Sequence, residues 1–314
     1  MDPATGGILA MASYPSYHPG QYQQFDRELY KNPIVASQYE PGSTFKALVM
    51  GAAIDKGLIK ATSIFDETGP IAVSDYTIRT WNNEYNGPLT MTQVLEHSSN
   101  VGMVYVEKLL GRDAFIKFIK DVGFGIPTNI DLEDESTPIA RSDKDWKEID
   151  LATASFGQGI AVTPLQMVRA TAAIANGGWL MEPHMVKKMQ DTNGRTIDIK
   201  PKKIRQIMSN ATSQVVTEMM TAAVDNGEAK WAKPKGYRIA GKTGTAQIPV
   251  AGHYDATKTI ASFVGFAPAD KPKFAMLVTL REPSSSQWGS ETAAPLFFNI
   301  ARDIFLYMGI PAQL

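Results

Sequence analysis

The chain has 314 residues, 44% of them hydrophobic and 20% charged, which suits one large or two small packed domains and excludes a disordered or low-complexity chain. Its 31 Lys plus Arg against 32 Asp plus Glu leave a net charge of −1, with no basic excess to hold a phosphate backbone, so no nucleic acid partner is expected. With no Cys there is no disulfide framework, thiolate metal site or cysteine nucleophile. The four histidines, His18, His97, His184 and His253, share no spacing suited to a metal, and no cofactor is implied. The apolar charge-free stretch that could be mistaken for a span, Leu151 to Val168, carries Thr, Ser, Gln, Gly and Pro and would not cross a bilayer; no basic and then apolar leader opens the chain.

Met1 to Gly7 reads as a turn, because Pro3 presets φ and two glycines accept positive φ; Ile8 to Ala12 follows as a short apolar strand. A turn at the start implies a preceding strand, so Met1 is expected to be internal to a longer protein. After Glu40-Pro41-Gly42-Ser43, the Ala-rich run Thr44 to Ile54 predicts a buried helix closed by Gly57. Residues 60–88 read as loop with minor strand, as at Ile71 to Ile78. Thr90 to His97, Val101 to Leu110 and Asp113 to Asp121 read as short helices, the first two separated by Ser98-Ser99-Asn100; residues 127–150 read as a polar surface excursion. Thr163-Pro164 starts a helix that ends at Asn176-Gly177-Gly178, Asn193-Gly194 marks a hairpin within Trp179 to Ile199, and residues 212–224 form a further helix. Tyr237 to Ile248, Thr259 to Ala267 and Lys273 to Arg281 read as strands, the last two nearly continuously apolar and so covered on both faces. A final helix places Ala294, Phe297, Phe298, Ala301, Ile304, Phe305 and Met308 on one stripe, expected to lie on the sheet. The pattern predicts one α+β body over residues 1–314: an antiparallel sheet flanked by helices, with a helical lobe in the middle.

Three short patterns carry possible chemistry. Ser43 is the one serine with a lysine, Lys46, three positions on; at the first turn of a buried helix the pair shares a face, and a lysine depressed by burial can take a hydroxyl proton. Ser98-x-Asn100 sits in a helix-to-helix turn, where both residues are also ordinary caps. Lys242-Thr243-Gly244-Thr245 interrupts a strand with glycine, as suits a strand whose backbone a peptide approaches closely; Lys242 could bind a carboxylate, and both threonines could donate hydroxyl hydrogen bonds. By composition these patterns are expected about 1.2, 0.6 and 0.2 times each by chance, so their order and context must decide.

Ser-x-x-Lys, Ser-x-Asn and Lys-Thr-Gly in that order, within Tyr39-Glu40-Pro41-Gly42-Ser43-Thr44-Phe45-Lys46, Ser98-Ser99-Asn100-Val101-Gly102 and Gly241-Lys242-Thr243-Gly244-Thr245-Ala246-Gln247, resemble the transpeptidase domain of class B penicillin-binding proteins. Ile8 to Ser13, Phe156-Gly157-Gln158-Gly159 and Ser262 to Pro268 add to the resemblance, which covers nearly the whole chain. It implies the penicillin-binding protein/serine β-lactamase-like fold, lacking here its first sheet strand, pedestal module and membrane anchor, with the sheet's edge left unpaired. It also implies a serine-type D-Ala-D-Ala transpeptidase that crosslinks peptidoglycan stem peptides through an acyl-enzyme at the extracytoplasmic face of the bacterial cytoplasmic membrane. By the same resemblance Ser43 is the nucleophile, Lys46 its base, and Ser98 a proton relay toward the leaving amine under the influence of Lys242. Asn100 holds the acyl-side amide, and Lys242, Thr243, Gly244 and Thr245 the terminal carboxylate side, while Ser43 and Thr245 N–H groups form the oxyanion hole. β-Lactams are expected to bind covalently, and a glycosyltransferase and other cell-wall machinery are implied partners. The Phe156 to Gly159 string itself is read as a tight backbone loop beside the active-site wall.

Two other readings stand beside this one. A serine β-lactamase or β-lactam-sensing domain would need a carboxylate to activate deacylating water, for which Glu148, followed at the expected Asn position by Ala152, is a broken match. A non-catalytic cell-wall or division scaffold would retain the fold alone.

Overall fold

The computed structural model describes residues 1–250 and 253–313. The chain opens with a turn at residues 3–5, but Ile8–Ala12 does not form the expected strand. Gly7 makes an isolated parallel bridge to His184, and Ile8 N donates to His184 O at 2.9 Å. The run is too short and too exposed at Leu9 to enter a sheet, and so it follows the surface.

A short helix α1 (Pro33–Ala36) precedes the central element. The helix expected from Thr44 is present as a 3₁₀ turn over Gly42–Phe45 that runs into α2 (Lys46–Asp55), buried on every side from Lys46 to Ala53. Its small residues let α4 and α8 pack directly against it. Between residues 60 and 90 lie β1 (Ile64–Glu67), β2 (Ile71–Val73), β3 (Tyr76–Ile78) and β4 (Gly87–Thr90); β1 pairs antiparallel with β4 and β2 with β3. Helices α3 (Met91–Glu96), α4 (Asn100–Leu110) and α5 (Arg112–Val122) follow, close to the three short helices expected over 90–97, 101–110 and 113–121. The polar excursion of 127–150 holds one unexpected feature, the start of α6 (Glu148–Ala154), whose first turn is closed by Lys147 N donating to Asp150 Oδ2 at 2.9 Å.

Thr163 caps α7 (Pro164–Ala175) through a reciprocal box with Gln166. Next come β5 (Trp179–Met181), β6 (Lys188–Gln190), β7 (Thr196–Asp198) and β8 (Lys203–Gln206); the Asn193-Gly194 hairpin joins β6 and β7, while β5 pairs with β8. The last third is α8 (Asn210–Asn226), β9 (Ala240–Val250), β10 (His253–Ala267), β11 (Phe274–Arg281) and α9 (Ala293–Tyr307).

The main sheet has the order β11-β10-β9, antiparallel throughout. Successive residues of β10 feed opposite cores: Phe263 and Ala267 pack with α9, while Val264 and Phe266 join the helical lobe. Both faces are covered, which is why the strand is apolar without alternation. On the α9 side Phe263 meets Phe297 and Phe298 at 4.6 and 5.1 Å between ring centroids. On the other side α7 and α8 lie between the sheet and α2. The outer edge of β11 is met at Ala275 by Met1, in a pair of backbone bonds of 2.9 and 3.0 Å. The α+β architecture with a helical lobe follows the expectation.

Candidate active site

The site lies where the helical lobe meets the free edge of β9. Ser43 sits in the 3₁₀ turn that opens α2. That turn is shaped by Gly42, at φ 55, whose N–H donates to Gly157 O at 3.0 Å. Gly157, at φ 84, approaches so closely that a Cβ there would stand 2.1 Å from Gly42 O. The Phe156 to Gly159 string therefore acts on the site through backbone packing. Thr44 closes the turn from within, its hydroxyl donating to Pro41 O at 2.6 Å.

One turn on, Lys46 is fully buried. Its Nζ donates to Ser98 O at 2.5 Å, Ser98 Oγ at 3.2 Å and Asn100 Oδ1 at 2.8 Å. Ser98 Oγ in turn bonds Ser43 Oγ at 3.0 Å. Among the described residues no direct hydrogen bond joins Lys46 Nζ to Ser43 Oγ, so Ser98 stands between them. Burial holds the Lys46 amine well below its ordinary range, and the positive charge of Lys242 lowers it further. Asn100 opens α4; its Oδ1 is held by Lys46 and its Nδ2 donates to Arg79 O at 3.1 Å.

Lys242, Thr243, Gly244 and Thr245 lie on β9, paired in register with Val264, Phe263, Ser262 and Ala261 of β10. Strand β9 also lies against the Ser43 turn: a Cβ on Gly244 would meet Ser262 Oγ of β10 at 2.5 Å and Thr44 Cγ2 at 2.9 Å, and one on Gly42 would meet Ala246 Cβ at 3.2 Å. Glycine is needed at 244 to let strand and turn approach. Lys242 is buried, and its Nζ donates to Thr243 Oγ1 at 3.1 Å and Thr243 O at 3.2 Å. Desolvation pulls the Lys242 amine down to about 8, against the opposing charge of Glu228. Thr245 Oγ1 accepts from Gly289 N at 3.0 Å.

Ser43, Lys46, Ser98 and Asn100 thus share one hydrogen-bonded cluster, with Lys242 close enough to act on Lys46 through its field and Thr243 to Thr245 along the adjoining strand edge. Two features of this region carry no signal in the sequence. Glu67, buried on β1, accepts from Ser99 Oγ directly behind Ser98. Trp81, two residues beyond the Arg79 carbonyl held by Asn100, meets Trp288, next to Gly289, with ring centroids 5.2 Å apart, so the two walls touch above the cleft. Among the described residues no group of three His, Asp or Glu gathers at metal-holding distance.

Residues 1–304 match the family model of the penicillin binding protein transpeptidase domain. The chain belongs to that family. Among its relatives, Stage V sporulation protein D of Bacillus subtilis (strain 168) is 38% identical over 99% of this chain and 49% of its own length. Peptidoglycan D,D-transpeptidase FtsI of Escherichia coli (strain K12) is 32% identical over 99% of this chain and 51% of its own length. The chain spans about half the length of these curated relatives. The solved structure of penicillin binding protein 3 from Mycobacterium tuberculosis complexed with ampicillin aligns with a TM-score of 0.92 at 31% identity, covering 100% of this chain and 72% of that one. The penicillin-binding fold expected from the sequence is therefore that of this molecule. No described helix of this transpeptidase-family chain is long and apolar enough to cross a membrane.

Proposed function

We propose that this chain is the catalytic domain of a class B penicillin-binding protein, a serine D,D-transpeptidase that crosslinks peptidoglycan stem peptides and is acylated by β-lactams at Ser43. The observation that carries the reading is the continuous path Ser43 Oγ, Ser98 Oγ, Lys46 Nζ, ending on an amine that burial and Lys242 keep easily deprotonated.

A neutral Lys46 has two N–H donors, for Ser98 O and Asn100 Oδ1, and a lone pair for the Ser98 hydroxyl. Ser98 then gives its proton to Lys46 as it takes the proton of Ser43, and Ser43 Oγ bonds to the carbonyl carbon of the penultimate D-Ala. Ser43 and Thr245 N–H groups are the oxyanion donors of this reading, each worth about 3 kcal/mol in such a role. As the C–N bond breaks, the proton returns from Lys46 through Ser98 to the departing D-Ala amine. An amine of a second stem retraces the steps in reverse, leaving Ser43 protonated and an amide crosslink. Protonated Lys242, with Thr243, Gly244 and Thr245, receives the terminal carboxylate, while Asn100 Nδ2 exchanges Arg79 O for the acyl-side amide of the substrate.

The lactamase reading gains nothing from the geometry, since Glu148 is exposed and pairs with Lys108 at 3.8 Å. The name of the Bacillus subtilis relative supports a place in sporulation and that of the Escherichia coli relative one in peptidoglycan synthesis; a role in division, a glycosyltransferase and other cell-wall machinery as partners, and a place at the outer face of the cytoplasmic membrane belong to the proposal. The reading of residues 1–314 as the transpeptidase domain of a longer anchored protein belongs to the same proposal.

The test is a synthetic stem pentapeptide ending in D-Ala-D-Ala, offered with an acceptor amine. Release of D-Ala together with an amine-exchanged product, both lost in Ser43→Ala, is expected. Release unchanged in Ser43→Ala, or hydrolysis with no amine product under any acceptor, contradicts the reading.

A further inference from the structure

Behind the Ser98 turn lies a buried carboxylate that the reaction path does not use. Glu67, the last residue of β1, is 1% exposed. One of its oxygens accepts from Ser99 Oγ, and the other from Asn86 N and Asn86 Nδ2, each at 3.2 Å. Ser99 is therefore held from both sides, since its Oγ also accepts from Gly102 N at 2.8 Å and caps α4. A hydroxyl has one proton, and here it is committed to Glu67, so the Ser99 side chain cannot rotate without leaving a buried carboxylate short of a donor.

The residue before it, Ser98, sits at φ 55, a backbone conformation that an L side chain keeps only where its surroundings impose it. The turn is fixed by Ser98 N to Leu95 O at 3.2 Å, Ser99 N to Val94 O at 2.9 Å and the Glu67 anchor. This conformation turns both Ser98 O and Ser98 Oγ onto Lys46 and sets Ser98 Oγ against Ser43.

We infer that Glu67 is a positioning residue for acylation, holding Ser98 between Ser43 and Lys46 through Ser99. The inference rests on the reading of Ser43 as the nucleophile. Glu67 also acts on Lys46 through space. The charged groups that face the Lys46 amine are Lys242 from β9, Glu228 from the segment after α8, and Glu67 from β1. Lys242 disfavours the ammonium and the two carboxylates favour it, so removing the charge of Glu67 lets Lys46 lose its proton at lower pH.

The experiment compares the whole chain with Glu67→Gln and Glu67→Asp, following acylation by a fluorescent penicillin between about pH 5 and pH 10, with thermal unfolding alongside. Glu67→Gln is expected to acylate about tenfold more slowly, with the rising limb of its pH profile displaced to lower pH. Glu67→Asp, which keeps the charge and draws it back by one methylene, is expected to be slow with its rising limb in place. A Glu67→Gln rate equal to that of the unsubstituted chain, or a slower rate whose rising limb does not move, overturns the inference. Should Glu67→Gln fail to fold, an Asp variant with an undiminished rate overturns it equally. The Lys46 titration followed by NMR makes the comparison without acylation: its midpoint falls in Glu67→Gln if the inference holds and stays if it does not. Failure of the unsubstituted chain to take up penicillin would count against Ser43 alone.

Discussion

Lys46 and Lys242 are both cut off from solvent, and the fold works against the ammonium form of each. The unfolded chain keeps such amines protonated to about pH 10.4. Native Lys242 releases its proton at about 8, so between those values the unfolded state binds more protons and stability rises with pH; below about 8 the penalty is fully present. Lys242→Met is therefore expected to be more stable than the unsubstituted chain at pH 7 by on the order of 3 kcal/mol, and so to unfold at a higher temperature, with the gap closing toward pH 10. Thermal melts at both pH values check this, and a gap that widens on raising the pH contradicts it. Catalysis asks the opposite of the two amines, Lys46 neutral as base and Lys242 charged as anion receptor. Acylation should then rise as Lys46 deprotonates and fall near pH 8 as Lys242 does. Lys242→Arg, which stays protonated, should lose the falling limb whatever its absolute rate. Ser43, Lys46 and Lys242 were legible in the sequence because each sits in a short local pattern. Glu67 was not, because its role depends on Ser99, 32 positions away, and nothing in Ile64–Glu67 marks the carboxylate as buried.

The elements that shape the cleft were legible where both faces of a segment are buried or a cap is explicit. The apolar runs of β10 and β11 announce a covered sheet, and Thr163-Pro164 announces α7. The strand pair β1 and β4 was hidden because it joins segments about twenty residues apart with little apolar alternation. Helix α6 was hidden in a polar stretch because its seven residues gain their stability from packing on α4 more than from propensity. The misread strand at Ile8–Ala12 shows the converse, since apolar composition makes a strand only where a partner edge is available. At this scale Gly157→Ala is the sharpest probe. Its methyl would meet the Gly42 carbonyl and its φ is positive, so both stability and acylation should fall, the former by about 2 kcal/mol or more. A variant with the unfolding midpoint and acylation rate of the unsubstituted chain would show that the 156–159 loop does not brace the Ser43 turn. Phe298→Ala, on the far face of the sheet, should cost about 3–5 kcal/mol of stability and leave the acylation rate of the folded protein nearly unchanged.

Across the whole molecule, the reactive groups come from three parts of the fold: the 3₁₀ turn with the buried helix α2 that it opens, the α3 to α4 turn, and the edge strand β9. An acyl group on Ser43 that also engages Asn100 and Thr245 would tie these parts together. The unfolding midpoint is therefore expected to rise by about 2–5 °C after β-lactam acylation, read by differential scanning fluorimetry. An unchanged midpoint in fully labelled protein would mean that the bound group does not span the cleft. The central claim is that Ser43 is a nucleophile made reactive by the buried amine of Lys46 through Ser98, and mass spectrometry of the intact chain after incubation with a penicillin tests it most directly. The account predicts a long-lived adduct of one penicillin mass, mapped to the peptide carrying Ser43 and absent from folded Ser43→Ala. An adduct that persists in Ser43→Ala, or no adduct on the folded chain, would contradict it.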